Sequence, residues 1–250
     1  MSGRQRVEPR PWPPQAGSPV TRDPWWQVAL DVLLPPRCVG CGRRGADVCD
    51  ACVAALRPLG AHTCPRCSAH SPGGRPCGSC GRRLGHLRAV IAAHPYQGTI
   101  RAAILAFKYR SRTRLAPFLV AALEPGLARR PLAVDVVAPV PLSPARLAQR
   151  GFNQAELLAR PLAASQGWPL DAALLVRTRE TPQQTRLSSG ERWLNLAGAF
   201  AVRDPASVVD RRVLLVDDVC TTGATLEACA APLVRAGAAG VWALVVARDA

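Results

Sequence analysis

The sequence predicts an α/β fold, a parallel sheet flanked by helices, behind a cysteine-rich metal module. Three observations carry this. From Arg88 onward, apolar runs of strand length alternate with stretches of helical spacing, the pattern of a parallel α/β sheet. One such unit, Arg212 to Arg235, reads as strand, tight loop and helix, with paired acids closing the strand. Upstream, eight of the ten cysteines fall between Cys38 and Cys80 as four CxxC pairs. With 250 residues and 48% hydrophobic composition, the chain can form one α/β core plus a small appended module.

Taken in order, residues 1–23 are rich in Pro and Arg and are predicted to be disordered. They carry basic residues but no apolar h-region, so no secretory signal is expected. Trp25 to Leu34 reads as a short amphipathic helix stopped by Pro35 and Pro36. No apolar run reaches the roughly 20 residues of a membrane helix, so no membrane span is expected.

Without a secretion signal, clustered cysteines point to metal before disulfides. The spacings suggest two successive four-thiolate sites, Cys38, Cys41, Cys49 and Cys52, then Cys64, Cys67, Cys77 and Cys80. Gly42, Gly78 and Gly81 suit the knuckle turns. A closed four-cysteine site is structural, because no coordination position remains open. The alternative is one bound ion with the other four thiols free or redox-active, so one or two structural Zn²⁺ are expected. His62, His70 and His86 read as surface residues rather than ligands. This module spans residues 24–84, and its arginines suit phosphate contacts rather than base readout.

Residues 85–250 form the α/β domain. Ala89 to Ala93 reads as a strand, Gly98 to Tyr109 as a helix, and Leu115 to Leu127 as another helix. Lys108 is the only lysine, against 31 arginines. A compact ammonium fits where a guanidinium does not. Val134 to Val140 is a strand, followed by a loop that Pro141 and Pro144 shape. Arg146 and Arg150 then share a helical face, a reasonable pyrophosphate site. A helix opens near Gly151–Gln154 and runs to Leu162, and Leu174 to Val176 is a short strand. Gln183 to Asn195 reads as a mobile lid running into a helix over Ser188–Leu196, with Arg186, Arg192 and Asn195 as its contacts. Ala199 to Val202 is an edge strand and Gly240 to Ala247 the last strand.

The chemistry concentrates in RVLLVDDVCTTGATL, Arg212 to Leu226. Thr221, Thr222, Gly223, Ala224 and Thr225 lie between a strand and a helix N-terminus, where backbone N–H groups and the helix dipole hold a phosphate. Carboxylates repel phosphate, so Asp217 and Asp218 need another partner. Sugar hydroxyls, held directly or with Mg²⁺, provide one. A phosphate cradle and diol acceptors on one loop describe a ribose 5-phosphate site. The formal charge of +15 adds a polyanion partner, nucleic acid or a phosphate-rich small molecule.

VLLVDDVCTTGAT closely resembles the phosphoribosyl pyrophosphate (PRPP) motif of type I phosphoribosyltransferases. That likeness implies Asp217 and Asp218 on the ribose hydroxyls and Thr221 to Thr225 on the 5-phosphate. Cys220 stands where a larger aliphatic residue is usual and is expected to pack rather than bind. With the CxxC-rich head, FKYR at Phe107 to Arg110, PVPLSPARLAQRGFNQA at Pro139 to Ala155, and TPQQTRLSSGERWLNLAGAF at Thr181 to Phe200, the chain resembles the ComF family. The resemblance implies a double zinc ribbon on a type I phosphoribosyltransferase fold, in a cytoplasmic protein linked to DNA uptake in natural transformation. It further implies PRPP with Mg²⁺ as ligand and Lys108, Arg146 and Arg150 near pyrophosphate. Phosphoribosyl transfer, single-stranded DNA binding and PRPP sensing all remain open, with a DNA-uptake helicase or another competence protein as partner.

Overall fold

The structure is a computed structural model that describes residues 35–179, 193, 196 and 198–249. The tail, the Trp25–Leu34 helix and the expected lid contacts Arg186, Arg192 and Asn195 lie outside the described residues.

The cysteine module contributes two short helices, α1 (Asp50–Ala54) and α2 (Cys80–Arg83). β1 (Leu87–Pro95) leads into α3 (Gly98–Tyr109), which has the bounds its pattern predicts. It buries Ile100, Ala103, Ile104 and Phe107 along one stripe, as a core-facing helix must. The single helix expected over Leu115–Leu127 is instead two, α4 (Ala116–Ala121) and α5 (Glu124–Arg129). Pro125 is the cause: it lacks an N–H and is accepted only in a first helical turn, so a new helix starts there. Next come β2 (Val136–Pro139), α6 (Pro144–Arg150) and α7 (Gln154–Gln166). Ser143 caps α6 and Asn153 caps α7, each side chain accepting from a backbone N–H.

β3 (Leu175–Arg177) and β4 (Phe200–Val202) pair antiparallel as a separate two-stranded ribbon, so Ala199–Val202 is not an edge of the main sheet. β5 (Arg212–Cys220), α8 (Ala224–Arg235) and β6 (Gly240–Arg248) complete the chain. The main sheet has the order β1-β6-β5-β2, and every pairing in it is parallel. β5 and β6 are therefore central and nearly continuously apolar, as strands covered on both faces must be.

Alternation along β5 divides the core. Val213 and Leu215 enter one buried cluster with α8 and the cysteines Cys64, Cys67 and Cys80. Leu214 and Val216 enter the other, with α3, α4 and α7. The second half of the metal module is thus part of the sheet's own core.

Candidate functional site

The acids sit at the carboxyl end of the central strand β5, where parallel α/β sheets bind ligands. Asp218 is 1% exposed. Its Oδ1 lies 2.8 Å from Lys108 Nζ at the end of α3. Its Oδ2 is buried and has no hydrogen-bond partner among the described residues. Asp217 continues the alternation that carries Val213 and Leu215 toward α8, and its Oδ1 accepts the Asp218 N–H at 2.9 Å. The two acids share a strand end but have different surroundings.

These surroundings move Asp217 and Lys108 from their ordinary values. Burial pushes the Asp217 carboxyl up, the neighbouring Asp218 charge adds to this, and Lys108 opposes it; the result is about 7. Burial alone would lower Lys108, but the charges of Asp218 and Asp217 outweigh it and the ammonium is held above its usual range. A carboxyl that titrates near 7 beside an ion-paired one can give or take a proton close to neutral pH. Folded Asp217 binds its proton more tightly than the unfolded chain, whose carboxyl titrates near 3.8. Its contribution to stability is therefore present below about pH 4 and lost as pH rises through about 7. Side-chain NMR is expected to find the Asp217 midpoint near 7, and Asp218→Asn to lower it.

The loop after the acids has the expected form. Gly223 is left-handed at φ +85° as the residue before α8, and a Cβ there would stand 3.4 Å from Leu84 of the metal module. Thr222 Oγ1 accepts the Ala224 N–H at 3.3 Å, Thr221 is exposed, and Thr225 lies in the first turn of α8. Cys220 does more than pack: it is 2% exposed and its Sγ accepts from Arg248 Nη1 at 3.2 Å.

Of the proposed pyrophosphate residues, Arg150 lies near enough for its charge to oppose that of Lys108. Its guanidinium donates to Gln154 Oε1 at 2.8 Å. Arg146 is partly buried in the first turn of α6, where its N–H is 3.4 Å from Ser143 Oγ. The structure thus gathers Asp217, Asp218, Lys108 and Arg150, while Arg192 and Asn195 lie outside the described residues.

The eight cysteines form the two groups their spacing suggests, with the four Sγ of each within 4.8 Å of one another. A Zn²⁺ tetrahedron with bonds of about 2.3 Å has edges of about 3.8 Å. Cys41–Cys49 at 3.6 Å, Cys64–Cys80 at 3.6 Å and Cys67–Cys77 at 3.5 Å match it. Backbone N–H groups also point at sulfur, Cys49 to Cys38 at 3.4 Å and Cys77 to Cys64 at 3.2 Å. Burial would raise the Cys38 thiol, but donation from Cys49, Cys41 and Gly40 brings it down to about 6. Gly42 turns the first knuckle at φ +77°. These donor sets fit structural zinc. His62, His70 and His86 belong to neither group.

Sequence reasoning missed one junction. Glu227 of α8 is 6% exposed. Its carboxylate accepts the backbone N–H groups of Gly85, His86 and Leu87 at 2.6–3.2 Å, and His86 Nδ1 lies 2.7 Å away. An acid in an otherwise apolar helix was the only sign of it. The helix that opens with the loop after the acids is thereby fastened to the exit of the metal module.

Comparison with known proteins agrees with this architecture. A double zinc ribbon domain matches residues 29–81 and a phosphoribosyl transferase domain matches residues 147–250. The DNA utilization protein YhgH of Salmonella typhi is 34% identical over 207 residues, covering 79% of this chain and 89% of that protein. Competence protein F of Haemophilus influenzae is 31% identical over 157 residues, covering 60% and 69%. The glutamine PRPP amidotransferase structure from B. subtilis aligns with 21% identity and a TM-score of 0.38, over 57% of this chain but only 30% of that one. The fold assignment therefore rests on the domain match and on the parallel sheet. With a zinc ribbon ahead of a phosphoribosyltransferase fold, and relatives of this similarity over most of their length, the chain belongs to the ComF family.

Proposed function

We propose that the protein binds PRPP with Mg²⁺ at the end of β5 and serves the handling of DNA in the cytoplasm. The observation that carries this is Asp218 Oδ2, a buried carboxylate oxygen without a partner among the described residues, in the motif that implies a ribose. A sugar hydroxyl would donate to it, and burial without such a donor is costly. Thr221 to Thr225 and the N-terminus of α8 would hold the 5-phosphate.

In a transfer reaction the bond from C1 of ribose to pyrophosphate breaks as the acceptor's bond forms. Positive charge grows on the sugar and negative charge on the leaving group. Lys108 would exchange Asp218 for the departing pyrophosphate, joined by Arg150 and Arg146, so that fixed charges meet developing ones. Mg²⁺ would arrive with PRPP and neutralise its phosphates.

Calorimetric titration of the zinc-loaded chain with PRPP and Mg²⁺ tests the reading. Micromolar binding is expected, weakened about a hundredfold or more in Asp217→Ala/Asp218→Ala. No heat from the intact chain would overturn it. The relatives' names, DNA utilization and competence, favour a second reading, a DNA-handling factor that transfers nothing. Asp218→Asn separates the readings. A transferase loses pyrophosphate release, whereas a DNA factor keeps strand binding with its steep salt dependence.

A further inference from the structure

We propose that Tyr109 is a stacking platform for the bases of single-stranded nucleic acid, set beside the acid pair of β5. Tyr109 ends α3, follows Lys108 directly and is 67% exposed. Arg150 covers the ring, its guanidinium 5.1 Å from the centroid, and is itself tied to Gln154. An anchored cation over an aromatic ring fixes that ring and leaves its remaining surface open, the arrangement on which a base stacks.

The only other tyrosine, Tyr96, also has a guanidinium near its ring, Arg101 at 5.9 Å from the centroid, but it is partly buried against the core. Burial pushes the Tyr96 phenol up, and the charges of Lys108, Arg101, Asp218 and Tyr109 also reach it. Exposed guanidiniums lie close by in the chain, Arg101 after Tyr96 and Arg110 after Tyr109.

This combination selects a strand. The Tyr109 ring offers a π-face to a base, and the guanidiniums offer charge to phosphates. A free base has no phosphate to meet them, and a duplex hides the faces of its bases. A chain of net charge +15 attracts such a polyanion from a distance. The platform does not depend on PRPP binding, so the two are tested separately.

The experiment is fluorescence anisotropy of the full zinc-loaded chain with a labelled oligothymidylate, and with an abasic strand of equal length and charge. Tyr109→Ala is expected to weaken oligothymidylate binding about tenfold, the scale of one lost base stack. Tyr109→Phe is expected to keep it. The abasic strand should bind more weakly to the unaltered chain and should not respond to Tyr109→Ala. Zinc content and thermal unfolding report whether each variant is folded. Tyr109→Leu, which keeps bulk without a π-face, carries the same expectation if the alanine variant fails to fold. Unchanged oligothymidylate binding in these variants, equal losses on both strands, or no strand binding by the unaltered chain would each overturn the proposal. A failed PRPP titration would leave it standing.

Discussion

Cys67→Ser is expected to disorder the transferase-like domain, whereas Cys41→Ser should cost one metal ion and little else. Burial makes the difference. Cys64, Cys67 and Cys80 are 2–4% exposed and share a core cluster with β1, β5, β6 and α8. Leu84, just beyond Cys80, meets Gly223 of the loop before α8, and Glu227 holds the three residues that follow. In the first group Cys38 is buried, but Cys41 is exposed and Cys49 and Cys52 are partly buried, and none of the four enters either core cluster. A structural Zn²⁺ in a small module contributes about 10–16 kcal/mol, comparable with or above the ~5–15 kcal/mol that holds a whole domain. Zinc stoichiometry and thermal unfolding check this. Each variant should lose one equivalent of metal, and only Cys67→Ser should lose the cooperative transition of the sheet. A Cys67→Ser chain that unfolds as the unaltered one does would show that the second site merely rests on the core.

The second large effect is expected at Lys108. Lys108→Met leaves Asp218 buried without its counter-charge, and removing one partner of such a pair costs about 3–5 kcal/mol. At about 2–4 °C per kcal/mol for a chain of this size, the melting temperature should fall by roughly 10 °C at neutral pH. Asp217 would also be pushed further up, because Lys108 is one of the influences that lower it. Adding Asp218→Asn should restore most of the stability by removing the orphaned charge. Neither variant should bind PRPP, so the double variant separates folding from ligand recognition. Lys108→Met with an unchanged melting temperature would mean that water solvates Asp218 better than its 1% exposure implies.

Much of this molecule is legible in its sequence because much of it is locally determined. The 3.6-residue pattern from Gly98 to Tyr109 fixes α3, and the apolar run closed by two acids fixes β5. The CxxC spacings group the cysteines correctly because a knuckle is a short-range turn. What escaped is long-range. Nothing near Asp218 announces Lys108, which reaches it from another element; its singular status as the one lysine was the only sign. Glu227 meets residues some 140 positions away in the chain. The break between α4 and α5 was written in Pro125 but overridden by apolar periodicity. The sequence places Tyr109 at the end of a helix and within FKYR, and only the fold shows it left open beneath Arg150.

The lone lysine gives the chain an unusual chemistry. Any reagent that acylates side-chain amines has one target among 250 residues, paired with Asp218 at the proposed ribose site. An amine reacts only once it has lost its proton, and Asp218 keeps that proton in place. A sugar phosphate that occupies Asp218 without bringing a second anion would loosen this hold and quicken the reaction. A ligand that carries pyrophosphate to Lys108 would slow it. The rate of modification at a single nitrogen would therefore distinguish occupation of the proposed ribose site from occupation of the proposed pyrophosphate site.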